Sequence, residues 1–201
     1  MTVQTDRDRV EKVVREILRE SDAGDVPGPG GGPATDGGPA GPGTAEDDAR
    51  FVALGSDHGG FELKEMLKRY LREELGYRVK DVGTSGPEAC DYPDFALKVA
   101  LAVASGECAR GIMIDGAGIG SSMAANRVPG VLAACCHDMK TVANSREHNN
   151  ANVLTMGSGV VGRGLARQMV RAWLATDFAG GRHERRVRKI LDLEDRWTGK
   201  S

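Results

Sequence analysis

Residues 111–126 read GIMIDGAGIGSSMAAN. An apolar run from Gly111 to Ile114 ends on a carboxylate, Asp115. Glycines follow at 116, 118 and 120, and SSMAAN then begins a helix. A short, continuous apolar run bounded by a glycine turn is the pattern of a buried strand. The same strand–turn–helix rhythm extends in both directions. Upstream, FVALGSD (51–57) predicts a strand, GFELKEMLKRYLREEL (60–75) a helix, Tyr77–Val82 a strand and Tyr92–Ser105 a helix of small apolar residues. Downstream, VLAACC (131–136) and NVLTMG (152–157) predict strands. MKTVANSREH (139–148), VVGRGLARQMVRAWLAT (160–176) and the basic RHERRVRKILDLED (182–195) predict helices. Strands alternating with helices of roughly 10–15 residues imply a parallel sheet covered on both faces. The expected fold class is therefore α/β, a Rossmann-like, doubly wound, five-stranded parallel sheet over residues 50–201, with ligands at the carboxyl ends of the strands.

Upstream of Phe51 the rhythm stops. Between Gly24 and Gly43, 14 of 20 residues are Gly or Pro, which marks residues 23–49 as a flexible, partly extended tether rather than folded chain. Before it, in TDRDRVEKVVREILRE (5–20), Val10, Val13, Val14, Ile17 and Leu18 form one apolar stripe. Residues 1–22 are thus expected to form a separate amphipathic helix, too short to be stable alone. It can dock on its own domain, pair with a copy of itself, or bind another protein's groove as a targeting peptide.

The 201 residues carry 27 basic and 29 acidic side chains, a formal net charge of −2. That balance gives no electrostatic footprint for a nucleic-acid or membrane partner, and no apolar run approaches the roughly 20 residues of a membrane span. The four cysteines, at 90, 108, 135 and 136, lack C-x-x-C spacing and read as reduced thiols. A cytoplasmic location is expected.

Four segments at predicted strand and helix ends carry possible chemistry. In Gly55-Ser56-Asp57-His58-Gly59-Gly60 the Asp–His pair can move protons or bind an anion, or Asp57 can simply cap the next helix. In 115–122, the amides of Gly116, Gly118 and Gly120 can converge on an anion at a helix N-terminus. The spacing fits neither the dinucleotide G-x-G-x-x-G nor a Walker loop. Asp115 is open to two roles there, a base facing the amides or a carboxylate hydrogen-bonded to them. His148, in REHNNAN (146–152), is either a helix C-cap or a catalytic group. Arg182 and Arg186, at i and i+4, suit two-point clamping of a phosphate or a solvated basic face.

Taken in order, SDHGGFELK, DYPDFA, DGAGIGSSMAANRVPG, SREHNNANVLTMGS and GGRHERRV resemble the ribose-5-phosphate isomerase B and galactose-6-phosphate isomerase family, from Phe51 to about Leu193. The resemblance implies an aldose–ketose isomerase acting on a sugar phosphate through an enediolate. No metal or cofactor is implied. The active sites would be shared between subunits of a homodimer or tetramer. It implies that Asp57 and His148 handle ring opening and proton traffic, and that His58, Arg182 and Arg186 hold the phosphate. Asn149 would contact sugar hydroxyls, the Gly116–Gly120 amides would stabilise the enediolate, and Tyr92 would shape the pocket.

The chain departs from the family pattern at the base. Many members carry a cysteine where Asp115 stands and a threonine where Ala117 stands, and a second branch has a glutamate at the Ser121 position. An arginine often follows Gly157-Ser158, where this chain has Gly159. Asp115 is then either the base itself, half of a heteromeric site, or part of a non-catalytic sugar-phosphate-binding subunit. The tethered N-terminal helix resembles the encapsulation peptides of bacterial microcompartments, which implies a shell-protein partner for residues 5–20 and a place in the compartment lumen. Deleting residues 1–22 is expected to leave turnover and oligomeric state unchanged while abolishing co-purification with shell protein. A drop to monomers in sedimentation would instead show self-pairing of the helix.

Overall fold

The chain divides into two units, Met1–Asp48 and Ala49–Ser201. The structure, a computed structural model, describes residues 51–197. The expected N-terminal helix and tether lie outside them.

Five parallel strands form one sheet: β1 (Phe51–Ser56), β2 (Arg78–Asp81), β3 (Arg110–Asp115), β4 (Ala133–Cys135) and β5 (Val153–Gly157), in the order β2-β1-β3-β5-β4. The helices are α1 (Phe61–Arg69, entered by a 3-10 turn at His58–Gly60), α2 (Tyr92–Ala104), α3 (Ile119–Ala125), α4 (Met139–Glu147), α5 (Arg163–Ala175) and α6 (Arg182–Trp197). The expected doubly wound α/β architecture is what the structure shows. Strand order reverses between β1 and β3, which opens a crevice at their carboxyl ends.

Alternate residues of each strand feed two layers. Val52, Leu54, Ile112, Ile114, Leu154 and Met156 point to one face, in a core shared with Leu63 and Leu67 of α1 and Met169, Val170 and Trp173 of α5. On the other face lies α2. Its small side chains let it sit close, and two strand glycines complete the fit. A Cβ on Gly55 would lie 2.5 Å from Val99 Cγ2, and one on Gly111 2.6 Å from Val99 Cγ1. The small apolar residues of 96–103 are therefore a packing requirement of this face.

Several boundaries differ from the sequence expectation, β4 being shortened from 131–136 to Ala133–Cys135, and three differences have a backbone cause. The helix expected over 60–75 becomes a π turn over Tyr70–Glu74, closed by the Leu75 N–H donating to the Tyr70 carbonyl at 3.2 Å. α3 starts at Ile119, two residues before Ser121, because Gly118 takes φ +82° and turns the chain at once into the helix. α5 starts at Arg163, because Gly162 is extended and Val161 turns inward to a buried position.

Lys64 of α1 is only 1% exposed, yet it is charged. Its Nζ lies 2.7 Å from Asp81 Oδ2 and 2.5 Å from Glu65 Oε1, and Lys68 shares both carboxylates. Burial by itself would raise the Asp81 carboxyl. The hydrogen bonds of Lys64 and Lys68, with the Gly83 amide, instead bring it below its ordinary 3.8. A depressed folded-state value means that this contribution to stability is complete above pH 3.8 and is lost as pH falls through the lower value. Asp81→Asn is expected to destabilise the domain by about 1–3 kcal/mol in urea unfolding, because it strips a buried ammonium of one of its two carboxylate partners. Lys64→Met in the same background should restore most of the loss.

Candidate active site

Asp115, the last residue of β3, is 5% exposed. Its Oδ1 accepts from the Ala117 N–H at 2.7 Å and from the Gly118 N–H. Its Oδ2 accepts from the Ser121 N–H at 3.1 Å and the Ser121 hydroxyl at 2.5 Å. Four donors thus surround one carboxylate, and three are the backbone amides of the glycine turn. Of the two roles open in the sequence, the structure displays the hydrogen-bonded one. The first-turn N–H groups of Ile119 and Gly120 have no intrahelical acceptor, so the turn keeps donors for a second anion.

The neighbouring strand ends are laced to this turn. After β1, Asp57 is buried and caps the 3-10 turn, accepting from the Gly60 N–H at 3.0 Å, while its own N–H donates to the Ile114 carbonyl at 3.2 Å. The capping role foreseen for Asp57 is therefore real, and His58 beside it is exposed. After β5, the Ser158 N–H donates to the Asp115 carbonyl at 2.8 Å, the Gly159 N–H to the Gly116 carbonyl at 3.1 Å, and the Ser158 hydroxyl to the Gly59 carbonyl at 2.6 Å. Two glycines are sterically required. A Cβ on Gly118 would lie 2.8 Å from the Met156 carbonyl carbon in a left-handed backbone, and one on Gly120 would lie 2.5 Å from the Tyr92 ring. Tyr92 thus packs edgewise on α3 at the rim of the turn, while Gly116 faces open space.

No cysteine lies among the hydrogen-bond partners of Asp115. Cys135 Sγ comes closest to the turn, 3.8 Å from the Ala117 carbonyl. Burial raises its thiol and the Asp115 charge adds to that, outweighing the Thr155 hydrogen bond. Cys90 lies beside His58, whose Nδ1 is 3.2 Å from the Cys90 backbone nitrogen and 4.0 Å from its Sγ.

The other expected residues form a second group. His148, at the C-terminus of α4, stacks on His183 with ring centroids 4.0 Å apart and planes 5° from parallel. Asn149 donates to the Asn144 carbonyl at 3.1 Å. Arg182 and Arg186 flank His183 on the exposed first turns of α6. Buried Arg146 holds this corner, donating to Ala151 O at 2.6 Å, Asn150 Oδ1 at 3.1 Å and Thr176 O at 3.2 Å. Nearby, a groove of about 510 Å³ runs beside edge strand β4, with Asn126, Lys140, Asn144 and Asn149 in its walls. Among the described residues, no hydrogen bond, ion pair or ring contact joins the His148 group to the Asp115 group.

The family model for ribose/galactose isomerases matches residues 52–190. The chain belongs to this family. It is 47% identical over 145 residues to ribose-5-phosphate isomerase B of Escherichia coli K12, covering 72% of this chain and 97% of that one. A solved ribose-5-phosphate isomerase B from Clostridium thermocellum superposes with a TM-score of 0.72 at 52% identity, covering 73% of this chain and 99% of the other. A D-erythrulose-4-phosphate isomerase of Pectobacterium atrosepticum is 38% identical over 140 residues, 69% of this chain and 91% of that protein. The chain is thus a family isomerase of the ribose-5-phosphate isomerase B type, an aldose–ketose isomerase.

Sequence reasoning missed three residues of these groups: Ser121 as a donor to Asp115, Asn144 and His183. Asn144 precedes His148 by four residues on one helical face, a spacing that signals contact. His183 lies between the two arginines that were singled out. Partial burial, then the charges of His148, Arg182 and Arg186, push the His183 imidazole below its ordinary 6.5. An NMR titration should place its midpoint below 6.5 and move it upward in Arg182→Gln. A midpoint at or above 6.5 in the unaltered chain would contradict this packing.

Proposed function

We propose that the chain interconverts ribose 5-phosphate and ribulose 5-phosphate through an enediolate, with Asp115 in the place of the cysteine that removes the C2 proton. The observation that carries this reading is the Asp115 carboxylate itself, set in a ring of amides at the β1/β3 crevice. Asp57 and His148 open the sugar ring and move protons. His58, Arg182 and Arg186 hold the phosphate, Asn149 meets a hydroxyl, and Tyr92 closes the rim. When the C2–H bond breaks, the proton passes to Asp115, its electron pair forms the C1–C2 double bond, and negative charge gathers on O1. Charge thus leaves the carboxylate as it arrives on the substrate. As the carboxylate is neutralised, the amides of this turn, with those of Ile119 and Gly120, stabilise the second anion. The O2–H proton then passes to O1, the C2 carbonyl forms, and the proton held by Asp115 is delivered to C1, which completes the isomerisation and restores the carboxylate.

The separation of the two groups within one chain favours a site completed between two copies of it. Ile119 and Met123 of α3, 51% and 64% exposed beside the amide turn, and Met139 at the start of α4 supply apolar surface for a homodimer. A tetramer would pair two such dimers. The N-terminal helix, on its sequence pattern, serves as the address to a microcompartment shell.

A second reading has one observation in its favour. All four hydrogen bonds of Asp115 are satisfied inside the chain, as a purely structural carboxylate would require. The chain would then bind a sugar phosphate without turning it over, or take its base from a different partner subunit.

Assay of the purified chain on four-, five- and six-carbon sugar phosphates separates the two. The isomerase reading predicts turnover of ribose 5-phosphate by the chain alone. Asp115→Asn should lower kcat by about 10²–10⁴-fold while leaving substrate binding within a few-fold, and Asp115→Cys should retain measurable activity. Saturable binding without turnover of any sugar phosphate would establish the second reading.

A further inference from the structure

We propose that Asn144 is a positioning residue that keeps the proton of neutral His148 on Nε2. This rests on the reading of His148 as a group that acts in ring opening. The placement of hydrogens follows from one atom of unambiguous character, the backbone carbonyl oxygen of Asn144, which can only accept. The Asn149 side-chain atom 3.1 Å from it is therefore the amide nitrogen. That same nitrogen lies 3.0 Å from a side-chain atom of Asn144, which must be the acceptor oxygen, Oδ1. The remaining Asn144 atom is Nδ2, and it lies 2.7 Å from His148 Nδ1. An amide nitrogen donates, so Nδ1 accepts, and the neutral imidazole carries its hydrogen on Nε2.

The ring is also held in orientation. His183 stacks on it at 4.0 Å and 5°, and Arg146 pins the Asn150–Ala151 turn that follows. The backbone N–H of His148 donates to the Asn144 carbonyl at 3.0 Å, so both residues belong to one rigid helical turn. Nε2–H is then a hydrogen-bond donor of fixed direction, suited to holding the ring oxygen of a cyclic sugar phosphate as its C1–O bond breaks, C1=O forms and the anomeric O1–H proton passes, by way of a base such as Asp57, to the ring oxygen. In this arrangement Asn149 gives both its donor contacts to Asn144 and keeps its own Oδ1 for a hydroxyl.

The substrate that needs this donor is one that closes a ring. A four-carbon aldose esterified at O4 has no free hydroxyl with which to form a five-membered ring, so its isomerisation requires no opening step. Loss of the Asn144 contact should therefore separate the two substrate sizes.

The test uses the full chain with 15N-labelled histidine and long-range 1H–15N correlation, His148 being assigned by its absence in His148→Gln. The expected result is a single neutral tautomer with unprotonated Nδ1, replaced by a mixture in Asn144→Leu. In that variant kcat for ribose 5-phosphate should fall roughly tenfold, as when an orienting partner of a functional histidine is removed. The loss should fall on kcat more than on KM, and should be larger for ribose 5-phosphate than for any turnover of erythrose 4-phosphate that the unaltered chain shows. A mixed or Nδ1-protonated His148 in the unaltered chain, or the same single tautomer in Asn144→Leu, would overturn the proposal. A tautomer fixed by Asn144 with undiminished ribose 5-phosphate turnover in the variant would support the positioning role and overturn the ring-opening role of His148.

Discussion

One carboxylate, wrapped by three backbone amides and one hydroxyl, organises the carboxyl end of this sheet. Asp115 stands where β3 stops, and its charge is nearly removed from solvent. An ionised group in such a place is tolerated only if its lone pairs are met by donors, and charge-assisted bonds of this kind are the strong ones. Meeting them dictates the path of the next six residues. Ala117 and Gly118 must turn their N–H groups back toward β3, which places Gly118 in the left-handed region. Ser121 must present both its amide and its hydroxyl from the first turn of α3. The loops after β1 and β5 then fasten to that turn through Ser158 and Gly159. The geometry of the amide turn is thus fixed by the protein's own carboxylate.

The topology supplies the place for it. Reversal of strand order between β1 and β3 leaves their carboxyl ends uncovered by a crossover, and Asp57 and Asp115 emerge there side by side. The His148 corner is built separately, from the end of α4 and the start of α6, with the buried Arg146 tying α4 to the 150–151 turn and to Thr176 after α5. Each half is rigid for its own reasons. On the reading proposed above, catalysis is the docking of two preformed halves from two copies of the chain rather than the reshaping of one.

The fold was legible in the sequence because every strand but β2 is a short apolar run ending in a polar or glycine-rich turn, the pattern of parallel strands buried on both faces, while edge strand β2, RVKD, shows only as an alternation. Boundaries slipped where a backbone feature outweighed composition: the left-handed Gly118, the extended Gly162 and the π turn after Arg69. In the site, the residue types were legible but the partnerships were not. Asp115 and the three glycines could be singled out, yet the choice between a free carboxylate and a bonded one depends on where Ser121 points. Arg182 and Arg186 stood out by their spacing, whereas the stack of His148 on His183 joins residues 35 positions apart, a pairing that no local pattern encodes.

The central claim is that proton transfer at C2, with charge handed from Asp115 to the substrate across one set of amides, is the chemistry of this site. Its most direct test is isomerisation of ribose 5-phosphate by the purified full chain in D2O, followed by NMR of the sugar carbons. The account predicts that deuterium enters the reacting carbons as the sugars interconvert. Products carrying no solvent deuterium, or bound sugar that never exchanges, would contradict it.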